Sequence, residues 1–377
     1  MTASISSSIL SAVEPPSAVR VPLAWLLEHG SWPVRVRTLL DLSSPTEESR
    51  SALGAVYLHP PALRLALQQR RDGTWGGRML TVAKSGDPAF EGVGTIPAVR
   101  RLLEYGWEPD APPFHAARRL MFRLLAEDAD PAFLYELRAD AGDDEYLVRR
   151  GRAHLREGAA ATLAQLGCEA DPRLRGAAVR ALERVIAYVR ATSSTTMTGE
   201  GGASQAPSTP VPANATPPSP HFLVMLAYMP RFRSEHQDEM SRLLTFLTAA
   251  TPGGVPRSLL SRRDLGQPQS VLGDPLAGVS ESSALPSMLA WLEVLARLGF
   301  VRRNPAWSAL LDRLLDERDA KGMWQGRTTA LAAPERPWDW PTFPLGEPDA
   351  ARESLVADMT FRLAMIAKLA GRALEPA

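Results

Sequence analysis

Residues 69–76 read Gln-Arg-Arg-Asp-Gly-Thr-Trp-Gly, directly after a stretch of helical character. Few local structures satisfy such an octapeptide. Asp72-Gly73 is a turn dipeptide, because glycine takes positive φ without steric cost and aspartate bonds to nearby backbone. Trp75 then returns a large apolar ring to the helix that has just ended. Gln69 is in reach of the ring face or of a free backbone group. A helix, a tight turn and an aromatic plug staple two helices together. A weaker copy, Arg318-Asp319-Ala320-Lys321-Gly322-Met323-Trp324, keeps the glycine and the tryptophan at the same separation and lacks the glutamine. Both copies follow a leucine-rich segment.

Helix signals dominate the rest of the chain. Helical patterns run over 21–29 and 34–42. Asp171-Pro172 and Asn304-Pro305 set a capping side chain before a proline at the first helical position, and Asp130-Pro131 repeats the pattern. Ser44-Pro45-Thr46-Glu47 and residues 234–237 read as capping boxes. Gly106, Gly167, Gly299 and Gly371 each stand just past the last periodic residue of a helix, where a left-handed cap is wanted. No stretch alternates β-branched and polar residues for long, so strand signals are nearly absent. The fold class is all-α.

The two staples, residues 69–75 and 318–324, resemble the QW motif of the squalene–hopene cyclase and protein prenyltransferase β-subunit superfamily. That resemblance implies an α/α toroid of antiparallel helix pairs around an apolar central cavity. Gln69, Asp72, Gly73, Trp75, Gly322 and Trp324 are then structural residues and leave the chemistry open. A HEAT-like helical solenoid is the alternative, since residues 33–42 and 174–185 read like HEAT-type helices.

Composition sets outer limits. At 377 residues and 45% apolar content the chain can bury a large core. Lys plus Arg equals Asp plus Glu at 42 each, which argues against a nucleic-acid partner. The single Cys168 forms no intrachain disulfide and fits a reducing, cytoplasmic compartment. No apolar run reaches the roughly 18 residues of a transmembrane segment. Residues 1–18 are expected to be a disordered tail and not a signal peptide. Residues 192–220 are Ser, Thr, Pro, Gly and Ala with almost no large apolar side chain, so they read as a flexible linker. They divide the chain into 19–191 and 221–377, taken as two halves of one ring because each half alone would leave open helix faces. The long stretches 251–280 and 328–349 are read as irregular.

Candidates for chemistry are few. The strongest acidic cluster is Asp140-Ala141-Gly142-Asp143-Asp144-Glu145. Terpene cyclases that protonate an alkene use D-x-D-D, and those that ionise a diphosphate hold Mg²⁺ on D-D-x-x-D. This cluster is one spacing off the first pattern and lacks the third carboxylate of the second. Asp143 and Asp144 are the catalytic candidates, with Asp140 and Glu145 beside them. The competing reading is an acidic loop favourable to the dipole of the next helix. Trp338 and Trp340, with Phe343, are the aromatics left over to line a pocket and stabilise a cation.

Zinc is not expected. His154 lies fourteen positions before Cys168, too far along a helix to share an ion with Cys168 and Asp171. No cofactor is expected, with Mg²⁺ needed only if a diphosphate is the substrate. Arg149, Arg150, Arg152 and Arg156, with Arg138 upstream, form a basic run that suits a solvated helix face or a carboxylate or diphosphate. Two functions follow. One is a cyclase- or prenyltransferase-like protein that binds a hydrophobic small molecule, in the limit an isoprenoid, inside a ring. The other is a non-catalytic helical scaffold for a protein partner.

Overall fold

The computed structural model describes residues 18–43, 52–82, 90–126, 131–193, 212, 214–248, 257–261, 264–270, 285–326, 344–347 and 351–377. These residues are predominantly helical. The first half carries α1 (Leu23–His29), α2 (Trp32–Arg37), α3 (Pro60–Leu67), α4 (Thr95–Glu104), α5 (Pro112–Ala126), α6 (Arg138–Ala141), α7 (Glu145–Gln165) and α8 (Pro172–Ser193). The second half carries α9 (Pro220–Ala227), α10 (Pro230–Glu235), α11 (Gln237–Thr248), α12 (Leu285–Arg297), α13 (Pro305–Asp316) and α14 (Arg352–Leu369). The helix expected over 34–42 is α2 running into a π-helical turn at Thr38–Leu42.

The staples form as their sequences require. Trp75 is fully buried and its Nε1 donates to the Leu65 carbonyl at 2.7 Å. Gln69 Nε2 donates to the carbonyls of Pro113 and Gly73 at 2.7 and 3.1 Å, so it ties the turn to the start of α5. Gly73 has φ 86°, and a Cβ there would come within 2.9 Å of the Ala116 backbone. At the second copy Trp324 is again fully buried, and Arg318 replaces Gln69 by donating to the Arg20 carbonyl at 3.0 Å. The missing glutamine is thus answered by a longer donor.

The two copies match further. The Trp75 amide donates to Thr95 Oγ1 at 3.2 Å and the Trp324 amide to Thr360 Oγ1 at 3.0 Å. Each threonine lies eleven residues before a glycine of positive φ, Gly106 and Gly371. Helices α4 and α14 therefore occupy equivalent places. Gly106, Gly167, Gly299 and Gly371 all take φ between 73° and 94°. After α4, α12 and α14 the next amide returns to a carbonyl five residues back, as Trp107 to Leu102, Phe300 to Leu295 and Arg372 to Ala367.

Burial separates inner from outer helices. Every residue from 356 to 367 of α14 is buried, as are 221–227 of α9 and 158–164 of α7. A helix buried on all faces lies inside the molecule. The inner helices pack in a circuit: α4 on α7, α7 on α9, α9 on α12, α12 on α14, and α14 on α1, α2 and the π-turn. From α2 the path runs through the 3-10 helix Ala52–Leu58 and α3 back to α4. Outside it, α5 packs on α7 and α8, α11 on α8, and α13 on α14. The described ends of the chain meet: β1 (Val19–Val21) pairs in parallel with β4 (Leu374–Pro376).

Several local expectations need correction. Val21 is the last residue of β1, and the first helix starts at Leu23 after Pro22. Ser234 is not a cap: its hydroxyl donates back to the Arg231 carbonyl at 2.7 Å, because Pro230 has already begun a separate short helix. Part of the stretch read as irregular, 251–280, is a hairpin of β2 (Arg257–Ser261) and β3 (Asp264–Ser270), with Pro268 in a two-stranded sheet where edge positions tolerate it. Pro131 opens a 3-10 helix, Pro131–Leu137. Its Glu136 accepts the Met79, Leu80 and Thr81 amides at 2.9, 2.5 and 2.9 Å and so pins the loop leaving Trp75. The caps at Asp171 and Asn304 form, accepting from Arg173 and Trp307 amides at 2.9 and 3.0 Å. The capping box at 44–47 and most of the tail and linker lie outside the described residues.

Candidate functional site

The acidic cluster is on the surface. Asp143, Asp144 and Glu145 are exposed, and Asp140 belongs to α6. Asp144 is the N-cap of α7, its Oδ1 accepting from Tyr146 and Leu147 amides at 2.8 and 3.1 Å. Among the described residues no dry cavity surrounds the Asp143–Asp144 pair, as acid catalysis would need. The reason is local: Gly142 ends α6 with φ 52°, and the carboxylates that follow are taken up in starting the next helix. Trp338, Trp340 and Phe343 lie outside the described residues.

What the fold brings together is a set of charged side chains that sequence reading passed over. The C-terminal residue of α2, Arg37, bonds Asp41 of the π-turn at 2.9 Å. The same guanidinium donates to the Glu104 carbonyl at 3.2 Å and to Met365 Sδ at 3.0 Å, and lies 5.0 Å from the Phe361 ring centre. On α14, Arg362 Nε meets Asp358 Oδ1 at 2.6 Å, and Asp358 Oδ2 accepts the Leu345 amide at 2.7 Å. On α4, Arg100 holds Glu104 Oε1 at 2.7 Å, while Glu104 Oε2 stands 4.0 Å from Arg362. On α12, Arg297 holds Glu293 at 2.9 Å, and Tyr228 donates to the same carboxylate at 3.3 Å.

These groups come from opposite sides of the circuit and share one space. Burial alone would make the Arg37 cation less stable, yet Asp41, Glu293 and Glu104 together outweigh it and raise its proton affinity. Glu293 shows the converse: burial pushes its proton affinity up, and Arg297, Arg37 and Arg100 pull it below the usual carboxylate range. Burial pushes the Tyr228 hydroxyl up to about 12. It also raises Asp358, against the opposing pull of Arg362.

Exposure is graded across the set. Asp358 and Arg362 are sealed at 1% and 3% side-chain exposure, whereas Arg100 and Glu104 keep 15%, Glu293 19% and Arg297 22%. These charged groups lie inside the helical circuit, and Arg100, Glu104, Glu293 and Arg297 keep part of their side chains open to solvent. Four guanidiniums, Arg37, Arg100, Arg297 and Arg362, face four carboxylates, Asp41, Glu104, Glu293 and Asp358, so the space is polar and close to neutral. Among the described residues Glu104 Oε2 is a buried acceptor with no hydrogen-bond donor.

One sequence signal could have found this site. Asp358 and Arg362 are one turn apart in the stretch 356–367, where Thr360 is the one other polar residue, and a charge pair there has no solvent to meet. Arg37 and Arg297 carried no such mark. His154, weighed as a metal ligand, instead lies against His221 with ring centres 4.9 Å apart. Comparison with family models, with curated proteins and with solved structures found no match.

Proposed function

We propose that this chain is an α/α-toroid-like protein that binds an amphipathic small molecule at the centre of its helical circuit. The observation that carries the reading is the convergence of Arg100, Glu104, Glu293 and Arg297 from separate helices with part of each side chain still open to solvent. A ring architecture is supported over a solenoid by the pairing of β1 with β4, since a solenoid repeat meets only its neighbours in sequence. A ligand with a polar head fits better than a bare hydrocarbon. Its head would face the charged side chains. Isoprenoid alcohols and diphosphates fall in this class. Acid catalysis by Asp143 and Asp144 is not part of the proposal.

The test is thermal stabilisation and native mass spectrometry with farnesol and farnesyl diphosphate. Binding should weaken about tenfold or more in Glu293→Gln/Arg297→Gln, the loss expected when charge-assisted contacts go. It should be unchanged in Asp143→Asn/Asp144→Asn. Binding that survives the α12 variant, or no binding by either compound, would overturn the reading.

A second reading, a scaffold for a protein partner, has one observation in its favour. Leu63 and Leu67, a turn apart on α3, and Leu58 just before it are 41%, 76% and 73% exposed. A sedimentation profile that stays monomeric and unchanged in Leu58→Asp/Leu67→Asp would remove self-association from that reading.

A further inference from the structure

A second cavity lies away from the central space, between the inner helices α7 and α9 and the outer helices α5 and α8. Its volume is about 490 Å³, inside the range of roughly 300–1,000 Å³ typical of small-molecule sites. One wall is apolar, built from Leu125, Ala160, Ala181 and Met225. The other carries Arg156 from α7 and Arg180 and Arg184, one turn apart, from α8. A single carboxylate, Glu157, sits among them.

Three guanidiniums and one carboxylate line this cavity, and Arg156 is held in place by donating from Nε to the Leu124 carbonyl at 3.2 Å. Glu157 is already engaged: Ser219 Oγ donates to it at 2.6 Å, and its nearest guanidinium, Arg184, stands 3.9 Å away. Among the described residues Arg180 has no anionic partner. Among the described residues Arg184 Nε is a buried donor without an acceptor. An unmet donor at one wall of a cavity of ligand size asks for an acceptor from outside. The sequence had flagged Arg156 as part of a basic run, with a carboxylate or diphosphate as one of its partners. The fold selects this arginine from the run and turns it into the cavity.

We infer that this cavity binds a small organic anion, its carboxylate or phosphate held by Arg156, Arg180 and Arg184 and its apolar body packed on Leu125, Ala160 and Met225. Guanidinium forks match the geometry of both anion types. Glu157, fixed by Ser219, orients Arg184 and excludes ligands with a second anion on that side.

Calorimetric titration of the full chain with benzoate, phenyl phosphate and inorganic phosphate tests this. Benzoate or phenyl phosphate should bind saturably, and inorganic phosphate about tenfold more weakly because it leaves the apolar wall unused. The ratio of the first two shows which anion the site prefers. Arg180→Gln should weaken binding about tenfold; Arg180 is exposed, so its replacement leaves the fold intact, to be checked by an unchanged melt without ligand. Arg184→Gln should do the same by a second route. Equal affinity in wild type and Arg180→Gln, phosphate binding as tightly as phenyl phosphate, or no saturable binding by any of the three would overturn the assignment.

Discussion

At the scale of single residues, the tryptophans and histidines make the sharpest claims. Trp75 fills its site completely and has its indole nitrogen satisfied, so Trp75→Ala should cost about 3–5 kcal/mol in a urea melt. Trp324→Ala should cost somewhat less, because among the described residues its buried Nε1 has no partner to lose. An unchanged midpoint in either variant would mean that the staples do not hold helices together. His59, His154 and His221 are all buried, and burial lowers their proton affinity, His59 to about 4, His221 to about 3 and His154 well below its ordinary value. The unfolded chain takes up these protons below pH ~6.5 and the native chain does not. Their contribution is therefore complete above that pH and fades as the pH falls toward the folded values. His59 and His221 should each remove about 2 kcal/mol of stability by pH 5, and His154 should act in the same direction. Urea midpoints at pH 7 and pH 5 that coincide would show that these rings protonate freely in the native state.

At the scale of elements, two helices carry predictions. Asp144 caps α7 and its neighbour Asp143 does not, although both are exposed. Asp144→Ala should cost about 1 kcal/mol and Asp143→Ala close to nothing. Equal effects would point to a shared role for the pair after all. In α14 the sealed Asp358–Arg362 pair behaves as one unit. Removing one partner, as in Asp358→Ala, leaves a buried cation and should cost about 3–5 kcal/mol. Replacing both, as in Asp358→Leu/Arg362→Met, should restore much of that loss. A double variant worse than the single one would show that the pair is held for the Leu345 amide and Glu104, and not only for each partner.

At the scale of the whole molecule, α9 packs on α7, α11 on α8 and α14 on α1 and α2, and β1 pairs with β4, so contacts join the two sides of residues 194–211 in several places. A protease site introduced between Ser193 and Pro212 should yield two fragments that elute together on size exclusion. Fragments that separate and stay folded would make two independent domains. Deleting residues 374–377 removes β4 and should lower the melting temperature while loosening β1 and α1, read as faster amide exchange in residues 19–29.

Punctuation was legible in the sequence because it is local. A glycine that needs positive φ, a proline at the first turn of a helix, an Asp-Gly turn and a tryptophan eight residues past a helix end act through their immediate neighbours. Gly106, Gly299 and Asn304 could therefore be read without knowing what packs on them. The all-α class follows from the same signals, summed. The buried charged cluster was not legible, for the opposite reason. Arg37, Glu104 and Glu293 are far apart in the chain, and each looks like an ordinary surface charge on an amphipathic helix. Only the packing of α2, α4, α12 and α14 around one space decides that these charges face inward, where low dielectric makes partners necessary. Adjacent carboxylates such as Asp143 and Asp144 draw the eye in a sequence, but whether they meet water or a dry cavity is set by tertiary burial, and here it is water.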